Sequence, residues 1–323
     1  MVEPNIVLSV IVPIYNEELV IDKSFIEFKE VLDKLECNYE FVAVNDGSLD
    51  NTEARIKQWL EKWPQLRSVS LAANRGHMAA ITAGMETSTG EYVLTIDVDL
   101  QDPPSVIPKM LDMALSQKLH VVYGVRENRS TDTWFKRTTA HVYYKLLSKI
   151  LGIYVPMHAA DCRLMSRAVV QVLNSLPEKQ RVYRLLVPYL GFSYGEFKYS
   201  RETRVAGETH YSLRQMLNLT WVSITSFSTA PLRISTWAGI SGLFLMFSGL
   251  IYVGVGLFKG STSPGWASTV LVVLLMGSLQ LITLGILGQY IAKIFIQVQG
   301  RPIYQLKPTP DAESNDTQKS IDS

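Results

Sequence analysis

The sequence predicts an α/β protein, in which a Rossmann-like domain with a largely parallel sheet precedes an interfacial amphipathic helix and a two-helix transmembrane hairpin. Three observations lead to this prediction. Strand-like and helix-like segments alternate over residues 1–125, polar clusters follow three of the strands, and residues 235–258 and 267–291 contain no charged side chain. Strands that alternate with helices of about 10–15 residues are typical of βαβ units.

The elements of the first domain can be placed in order along the chain. β-Branched or apolar runs predict strands at residues 6–14, 41–44, 67–71 and 92–96. Helical patterns are predicted over residues 17–35, 50–63 and 76–87. Asp50 has the side chain and the position of an N-cap for the second helix. Because open parallel sheets bind ligands beyond the carboxyl ends of their strands, functional residues are expected at that edge.

Residues 235–258 and 267–291 are predicted to cross a membrane as a hairpin. Each is at least as long as the roughly 20 apolar residues that span a bilayer core. The loop between them is short, so the spans are antiparallel and both termini lie on one side. Arg233 and Arg301 flank the hairpin, which favours cytoplasmic termini in the inner membrane. The alternative is a pair of buried helices in a soluble protein.

These patterns divide the chain into segments with different predicted environments. They are a cytoplasmic domain at residues 1–210, an interfacial helix at 211–232, the hairpin at 233–293 and a cytoplasmic tail at 294–323 with a disordered end. Leu213, Leu217 and Trp221 recur at helical spacing in the second segment, which would otherwise pack into the soluble core. The net charge of +1 argues against a nucleic-acid partner. Cys37 and Cys162 are expected to be unpaired thiols.

Asp97 and Asp99 flank Val98 directly after an apolar strand. If the extended geometry continues, both carboxylates point to the same side, where they repel each other unless a cation or a proton intervenes. Mg²⁺ and Mn²⁺ accept such oxygen ligands together with substrate phosphates. Helix capping is the ordinary alternative, but Asp102, followed by Pro103, is the better cap candidate. Asp97 and Asp99 are therefore predicted to bind a divalent metal ion.

Two further polar clusters follow the first two predicted strands. Tyr15, Asn16 and Glu17 come after the first strand. Asn45-Asp46-Gly47-Ser48 comes after the second and has the composition of a turn. An acid in such a turn, here Asp46, can also accept hydrogen bonds from a nucleobase or a ribose.

Together these motifs resemble glycosyltransferase family 2. Within that family they are similar to the polyprenyl-phosphate glycosyltransferases, which include bactoprenol glucosyltransferases, dolichol-phosphate mannose synthase and undecaprenyl-phosphate formamidoarabinose transferase. The resemblance runs from about Leu8 to Pro302. The segments that carry it are VPIYNE at 12–17, VNDGS at 44–48, TIDVDLQDPP at 95–104 and DCRLM at 161–165. The third of these is the most specific.

The resemblance implies a GT-A fold and an inverting sugar transfer that depends on Mg²⁺ or Mn²⁺. The positions that match the nucleotide-sugar site are Pro13, Tyr15, Glu17, Asp46 and Asp97. Asp99 and Gln101 match metal ligands. The candidates for binding the acceptor phosphate are Arg126, Arg129, Lys136, Arg137, Arg163 and Arg204.

Asp99, Arg126 and Asp161 are the candidate catalytic residues that the resemblance implies. Asp161 would be a base or a group that positions the acceptor, and a plain salt bridge with Arg163 is the alternative. His210 stands where relatives usually carry Lys, and it is mostly neutral at pH 7. This departure leaves the reaction class in place but the identity of the sugar open.

A polyprenyl phosphate is the acceptor that this architecture favours, since a soluble sugar acceptor would not require a membrane anchor and an interfacial helix. Its phosphate is largely anionic near neutral pH, so it can attack without a strong base. By resemblance, the donor is UDP-glucose or another UDP-sugar, with GDP-mannose as the alternative. A downstream flippase and a further glycosyltransferase would then use the product in cell-envelope glycan modification. A homo-oligomer is also expected to be possible, because a two-helix hairpin buries little surface by itself.

Two rival functions belong to other classes. A processive polysaccharide synthase would need several spans and a Gln-x-x-Arg-Trp motif, which the sequence lacks. A non-catalytic membrane protein that binds a nucleotide-sugar or acts as a scaffold is the second rival. Turnover of a donor with polyprenyl phosphate would distinguish the two, because only an enzyme would form a lipid-linked product.

Overall fold

The computed structural model describes residues 6–126, 148, 152, 159–200, 225, 228–258 and 265–308. The chain divides into two units. The first comprises Met1–His210 with Pro302–Ser323, and the second comprises Tyr211–Arg301.

A mixed sheet of seven strands forms the centre of the first unit, in the order β3-β2-β1-β4-β6-β5-β7. The strands are β1 Leu8–Ile14, β2 Tyr39–Asn45, β3 Leu66–Ser70, β4 Tyr92–Thr95, β5 Val121–Arg126, β6 Ala159–Ser166 and β7 Tyr194–Tyr199. β1 pairs in parallel with β2 and β4, and β2 pairs in parallel with β3. β6 is antiparallel to both β4 and β5. The predicted sheet with largely parallel pairing is confirmed.

Helices alternate with the strands as predicted. Those of the first unit are α1 Ile21–Leu32, α2 Thr52–Leu60, α3 His77–Thr87, α4 Val106–Gln117, α5 Arg167–Ser175 and α6 Tyr183–Tyr189. The predicted cap at Asp50 is wrong by one position, because Asn51 is the N-cap of α2. Asp50 instead accepts the backbone N–H of Thr52 at 3.0 Å and that of Glu18 at 3.2 Å, so it ties α2 to the loop after β1.

Every side chain of β1 and β2 is buried, as expected where helices cover both faces of a parallel sheet. Three aromatic rings fill the space between α1, β2 and the end of α2. The ring centroid of Phe41 lies 5.3 Å from that of Phe25 and 4.5 Å from that of Trp63. This packing holds the first two strands rigidly, which fixes the loops that leave their carboxyl ends. Cys37 and Cys162 are unpaired, as predicted.

The second unit contains two long helices, α7 Ala230–Phe258 and α8 Trp266–Val298. They are antiparallel: Tyr290 donates to the carbonyl of Ser228 at 2.6 Å, and Gly242, later in the chain than Ser228, faces Met276, which comes earlier in α8 than Tyr290. Within the described residues, one helix is long and apolar enough to cross a membrane, at Leu275–Val298 in α8. The predicted first span lies in α7 and stays a prediction. The predicted interfacial helix, apart from residues 225 and 228–232, and the tail beyond residue 308 lie outside the described residues.

Candidate active site

The loops that follow β1 and β2 are hydrogen-bonded to each other at the carboxyl edge of the sheet. The backbone N–H of Asn16 donates to Ser48 Oγ at 3.0 Å, and the N–H of Leu49 donates to Asn16 Oδ1 at 2.9 Å. The N–H of Glu17 donates to Thr52 Oγ1 at 2.9 Å. Two of the polar clusters that the sequence placed at this edge therefore form one structure.

A cleft of about 390 Å³ opens beside these loops, a volume typical of small-molecule sites. Gly47 lines it with a φ of +67°, and a Cβ at this position would lie 2.6 Å from the backbone of both Ala73 and Asn74. The loops after β2 and β3 approach so closely that only glycine fits. The cleft is lined by Tyr15, Gly47, Ser48, Leu49, Glu53, Leu71, Ala72, Ala73, Asn74 and Lys307.

Asp46 joins the loop after β2 to the start of α3. The residue is buried, and its two carboxylate oxygens accept the backbone N–H groups of Arg75 and Gly76, each at 2.8 Å. Asp46 therefore holds the wall of the cleft in place. Its predicted contact with the nucleoside stays a prediction, as does that of Pro13, which is buried within β1.

Asp97 and Asp99 follow the end of β4, next to the same edge. The pKa of Asp97 is raised to about 6, chiefly by burial; His77 opposes the shift, and the neighbouring carboxylates of Asp161 and Asp99 add to it. The Nε2 atom of His77 lies 3.7 Å from Asp97 Oδ1. Neighbouring carboxylates thus disfavour the ionised form of Asp97.

Gln101 supplies the observation that tests these acids as a metal site. Its side-chain Oε1 is buried and has no hydrogen-bond partner in the part of the chain that the structure describes. Its backbone N–H donates to Asp99 Oδ1 at 3.1 Å, so the Asp99 carboxylate is held against the backbone of Gln101. A buried oxygen without a donor is unusual and calls for a ligand such as an ion.

The described residues contain no group of three or more His, Cys, Asp or Glu side chains arranged to hold a metal ion. Mg²⁺ does not require such a cage, since it typically binds through one or two carboxylates, water and substrate phosphates. Asp99 and Gln101 offer oxygen donors of the type that Mg²⁺ and Mn²⁺ prefer. The residues present therefore fit the predicted ion.

Asp102 is fully buried and is not the cap that the sequence suggested, because α4 begins at Val106 with Ser105 as its N-cap. Its carboxylate accepts Arg126 Nε at 2.9 Å and Arg126 Nη2 at 2.8 Å. It also accepts the hydroxyl of Tyr199 at 2.7 Å. Asp102 thus joins α4 to β5 and β7, and it orients Arg126, whose side chain stays partly exposed at the end of β5.

Asp161 lies beside the end of β4, because its carbonyl accepts the hydroxyl of Thr95 at 2.8 Å. Its carboxylate pairs with Arg163 Nη2 at 2.9 Å and lies 3.8 Å from Arg184 Nη2. Burial alone would raise the pKa of Asp161, but the charges of Arg163 and Arg184 hold it below the usual range. The salt bridge considered from the sequence is present, and it keeps Asp161 ionised.

The family model for "Glycosyl transferase family 2" matches residues 9–173. The chain belongs to this family. A glycosyltransferase of Bacillus subtilis described as uncharacterized is 40% identical over 304 residues and covers 93% of each chain. The bactoprenol glucosyl transferase of Shigella phage SfX is 34% identical over 302 residues, which are 93% of this chain and 98% of that protein. The protein is accordingly a glycosyltransferase.

The fold also resembles a solved structure of glucosyl-3-phosphoglycerate synthase from Mycobacterium tuberculosis in complex with UDP. The identity is 19%, the TM-score is 0.51, and the match covers 68% of this chain and 78% of that chain. A second structure of that protein, in complex with Mn²⁺, UDP and glucosyl-3-phosphoglycerate, has the same TM-score of 0.51. At this identity the likeness shows the fold alone, which is the GT-A fold expected for this glycosyltransferase.

Three residues at the site of this glycosyltransferase were not anticipated from the sequence. His77 could have been found, since it opens the helix that follows the third strand, at the edge where ligands bind. Arg184 and Lys307 do not follow a predicted strand of the sheet, so the sequence does not indicate that they lie at this edge. Arg184 reaches Asp161 from α6, and Lys307 reaches the cleft from beyond α8. Long-range packing, rather than a local motif, brings both of them to the site.

Four of the predicted phosphate ligands of the glycosyltransferase lie outside the described residues: Arg129, Lys136, Arg137 and Arg204. His210 lies outside them as well. Their roles stay predictions. The described part of the site thus brings together the candidates for the donor and the metal, with Arg126 and Arg163 as the candidates for the acceptor phosphate.

Proposed function

We propose that this glycosyltransferase transfers a sugar, with inversion, from a UDP-sugar to a polyprenyl phosphate, using a divalent metal ion. UDP-glucose is the preferred donor and undecaprenyl phosphate the preferred acceptor. The observation that carries the proposal is the buried side-chain oxygen of Gln101, which has no hydrogen-bond partner among the described residues and belongs to a residue whose backbone N–H donates to the Asp99 carboxylate. The named activity of the phage relative, which matches nearly full-length, supports the lipid acceptor.

The donor would bind across the carboxyl edge of the sheet. Its nucleoside would occupy the cleft next to Tyr15, with Glu17 and Asp46 behind it. Asp97 would contact the donor, while Asp99 and Gln101 would hold the metal ion. When bound there, a divalent ion supplies positive charge that stabilises the leaving diphosphate.

The acceptor needs positioning more than it needs a base. A phosphate monoester is largely ionised at neutral pH, and an ionised Asp161 with a lowered pKa is a weak proton acceptor. Asp161 would therefore orient Arg163 and Arg184 rather than remove a proton. Arg126, which Asp102 holds by two hydrogen bonds, would present its remaining N–H groups to the acceptor phosphate.

The anchor would bring the lipid to this site. α8 contains the candidate span Leu275–Val298, and we propose that α7 crosses the membrane beside it. Both termini and the active site would then face the cytoplasm at the inner membrane, where nucleotide-sugars are made. The interfacial helix predicted at residues 211–232 would lie at the membrane surface.

A donor panel tests the proposal. The purified protein is incubated with undecaprenyl phosphate, Mg²⁺ or Mn²⁺, and UDP-glucose, a UDP-amino sugar or GDP-mannose, and the lipid is analysed by mass spectrometry. The expected result is a hexose adduct on the lipid with UDP-glucose and no adduct after metal chelation. A product with GDP-mannose alone would support the mannose synthase alternative. Nucleotide-sugar binding without any lipid product would indicate the non-catalytic alternative.

A further inference from the structure

The segment Pro302–Lys307, called here the return segment, pairs with the chain where the edge strand β3 ends. The N–H of Ala72 donates to the carbonyl of Gln305, and the N–H of Lys307 donates to the carbonyl of Ser70, each at 2.8 Å. Leu306 forms an antiparallel bridge with Leu71. β3 ends the described sheet on this side, so the return segment covers part of an edge that would otherwise expose its backbone groups.

Two side chains anchor the return segment to helices of the same unit. Tyr304 donates its hydroxyl to the carboxylate of Glu86 in α3. The ammonium group of Lys307 donates to Glu53 in α2, at 2.8 Å from Oε2 and 3.1 Å from Oε1. The position of Lys307 is therefore fixed by its own backbone, by the bridge beside it and by its side chain.

Lys307 lines the same cleft as Tyr15 and Ser48. An ammonium group has three N–H donors and no acceptor. The contacts with the two oxygens of Glu53 occupy at most two of them. About half of the Lys307 side chain is exposed, so at least one donor remains available to a molecule in the cleft.

The chain supplies a matched lysine for comparison. Lys57 pairs with the same carboxylate, with its Nζ 3.0 Å from Glu53 Oε1, but it does not line the cleft. Hydrogen bonds from Lys307 and then Lys57 are the two largest causes that hold the pKa of Glu53 below its usual value. The two lysines thus share the structural contact and differ in access to the cleft.

We propose that Lys307 is a donor-binding residue, which closes the outer wall of the nucleotide pocket and gives a hydrogen bond to an oxygen of the nucleoside. The inference rests on the proposed function, in which the cleft holds the nucleoside of a UDP-sugar. It adds a contact from a part of the chain that lies outside residues 9–173, the region matched by the family model. The donor pocket would then be complete only when the return segment is docked.

The test compares Lys307→Met, Lys307→Arg and Lys57→Met in the full-length protein. Met keeps most of the length and apolar surface of the lysine stem but has no N–H donor. The measurements are KM and kcat for UDP-glucose, KM for undecaprenyl phosphate, and UDP binding by calorimetry in the presence of Mn²⁺. Thermal unfolding of each variant shows whether it is folded.

We expect Lys307→Met to raise the donor KM and the UDP dissociation constant about tenfold, the effect of losing one hydrogen bond to a charged group. The kcat and the lipid KM should change less than about twofold. Lys307→Arg should restore most of the donor affinity, and Lys57→Met should match the wild type.

A donor KM and UDP affinity in Lys307→Met equal to those of Lys57→Met would overturn the inference while leaving the proposed function intact. A wild-type protein without lipid product would contradict the proposed function, and the calorimetry would still decide the role of Lys307.

Discussion

Burial changes the chemistry of the carboxylates at the carboxyl edge of this sheet. Burial favours the protonated form of Asp97. Asp161 is kept ionised by the neighbouring guanidinium groups of Arg163 and Arg184. Asp102 is fully enclosed and pairs with Arg126. Acids that look alike in the sequence therefore have different tasks, and single substitutions should separate them.

Asp99→Ala should reduce lipid glycosylation by at least about a thousandfold, because the substitution removes a proposed ligand of the ion that stabilises the leaving group. Asp112→Ala, on the exposed side of α4, is the control and should keep full activity. The measurement is the initial rate with UDP-glucose and undecaprenyl phosphate. Extraction from membranes checks that both variants are membrane-bound, and thermal unfolding checks that both are folded. An Asp99→Ala enzyme with near-normal rates would contradict the assigned metal site.

Asp102→Ala should destabilise the protein by about 3 kcal/mol, since it leaves the guanidinium of Arg126 without its buried partner. For a domain of this size the melting temperature should fall by about 6–12 °C. Glu27→Ala removes a partly exposed carboxylate that pairs with Lys23 one helical turn earlier, so its cost should stay near or below about 1 kcal/mol. Equal melting temperatures for the two variants would show that the Asp102 pair is not structural.

The sequence could predict which of these residues gather at the edge, but not how they pair. The spacing of Asp97 and Asp99 and the strand before them were sufficient to place both acids next to the ligand crevice. The partners of Asp102, which are Arg126 and Tyr199, come from strands far along the chain. Nothing local distinguishes such an acid from a helix cap, and for that reason the cap prediction was wrong.

At the scale of elements, the loops that leave β1, β2 and β3 define the candidate donor cleft. Their backbones are held by side chains of neighbouring loops, such as Asp46 with the start of α3 and Asn16 with the loop after β2. The alternation of strands and helices made the order of these elements predictable. Their exact ends were less predictable, because contacts between loops, as at Asp50 and Glu18, decide where a helix begins.

Gly47→Ala should deform the cleft. The added Cβ would meet the backbone of Ala73 and Asn74 at 2.6 Å, and the left-handed φ costs an alanine a further 1–2 kcal/mol or so. Gly191→Ala is the control, since Gly191 also has a left-handed φ, of +69°, but open space around its Cβ position. Both variants should lose some stability in thermal unfolding, while only Gly47→Ala should lose UDP affinity in calorimetry. Unchanged UDP binding in Gly47→Ala would separate this cleft from the donor site.

At the scale of the whole molecule, the chain combines a GT-A domain with two long apolar helices, which we propose form a membrane anchor. The composition was sufficient to predict the long helices α7 and α8, because uncharged apolar stretches of this length are typical of membrane-spanning helices. It could not predict the return segment, whose contacts with β3 are backbone hydrogen bonds that any short extended sequence could make. Whether α7 also spans the membrane decides the topology.

Two spans with cytoplasmic termini would place the loop between α7 and α8 on the outer side of the membrane, and this can be measured with a thiol reagent that does not cross it. Ser263→Cys should be labelled in intact spheroplasts, whereas Ser175→Cys, exposed at the end of α5, should be labelled only after lysis. The wild type, with Cys37 and Cys162 in the catalytic unit, is the blank. Labelling of Ser263→Cys only after lysis would exclude two spans with cytoplasmic termini.

The central claim is that Asp99 and Gln101 hold a divalent ion against the diphosphate of the donor. Electron paramagnetic resonance of Mn²⁺ measures this directly, because the signal of the free hydrated ion disappears on binding. The account predicts that UDP causes the wild type and Asp112→Ala to bind about one Mn²⁺ per chain, and that Asp99→Ala binds none at the same concentrations. Equal binding of Mn²⁺ and UDP by Asp99→Ala and the wild type would contradict the claim.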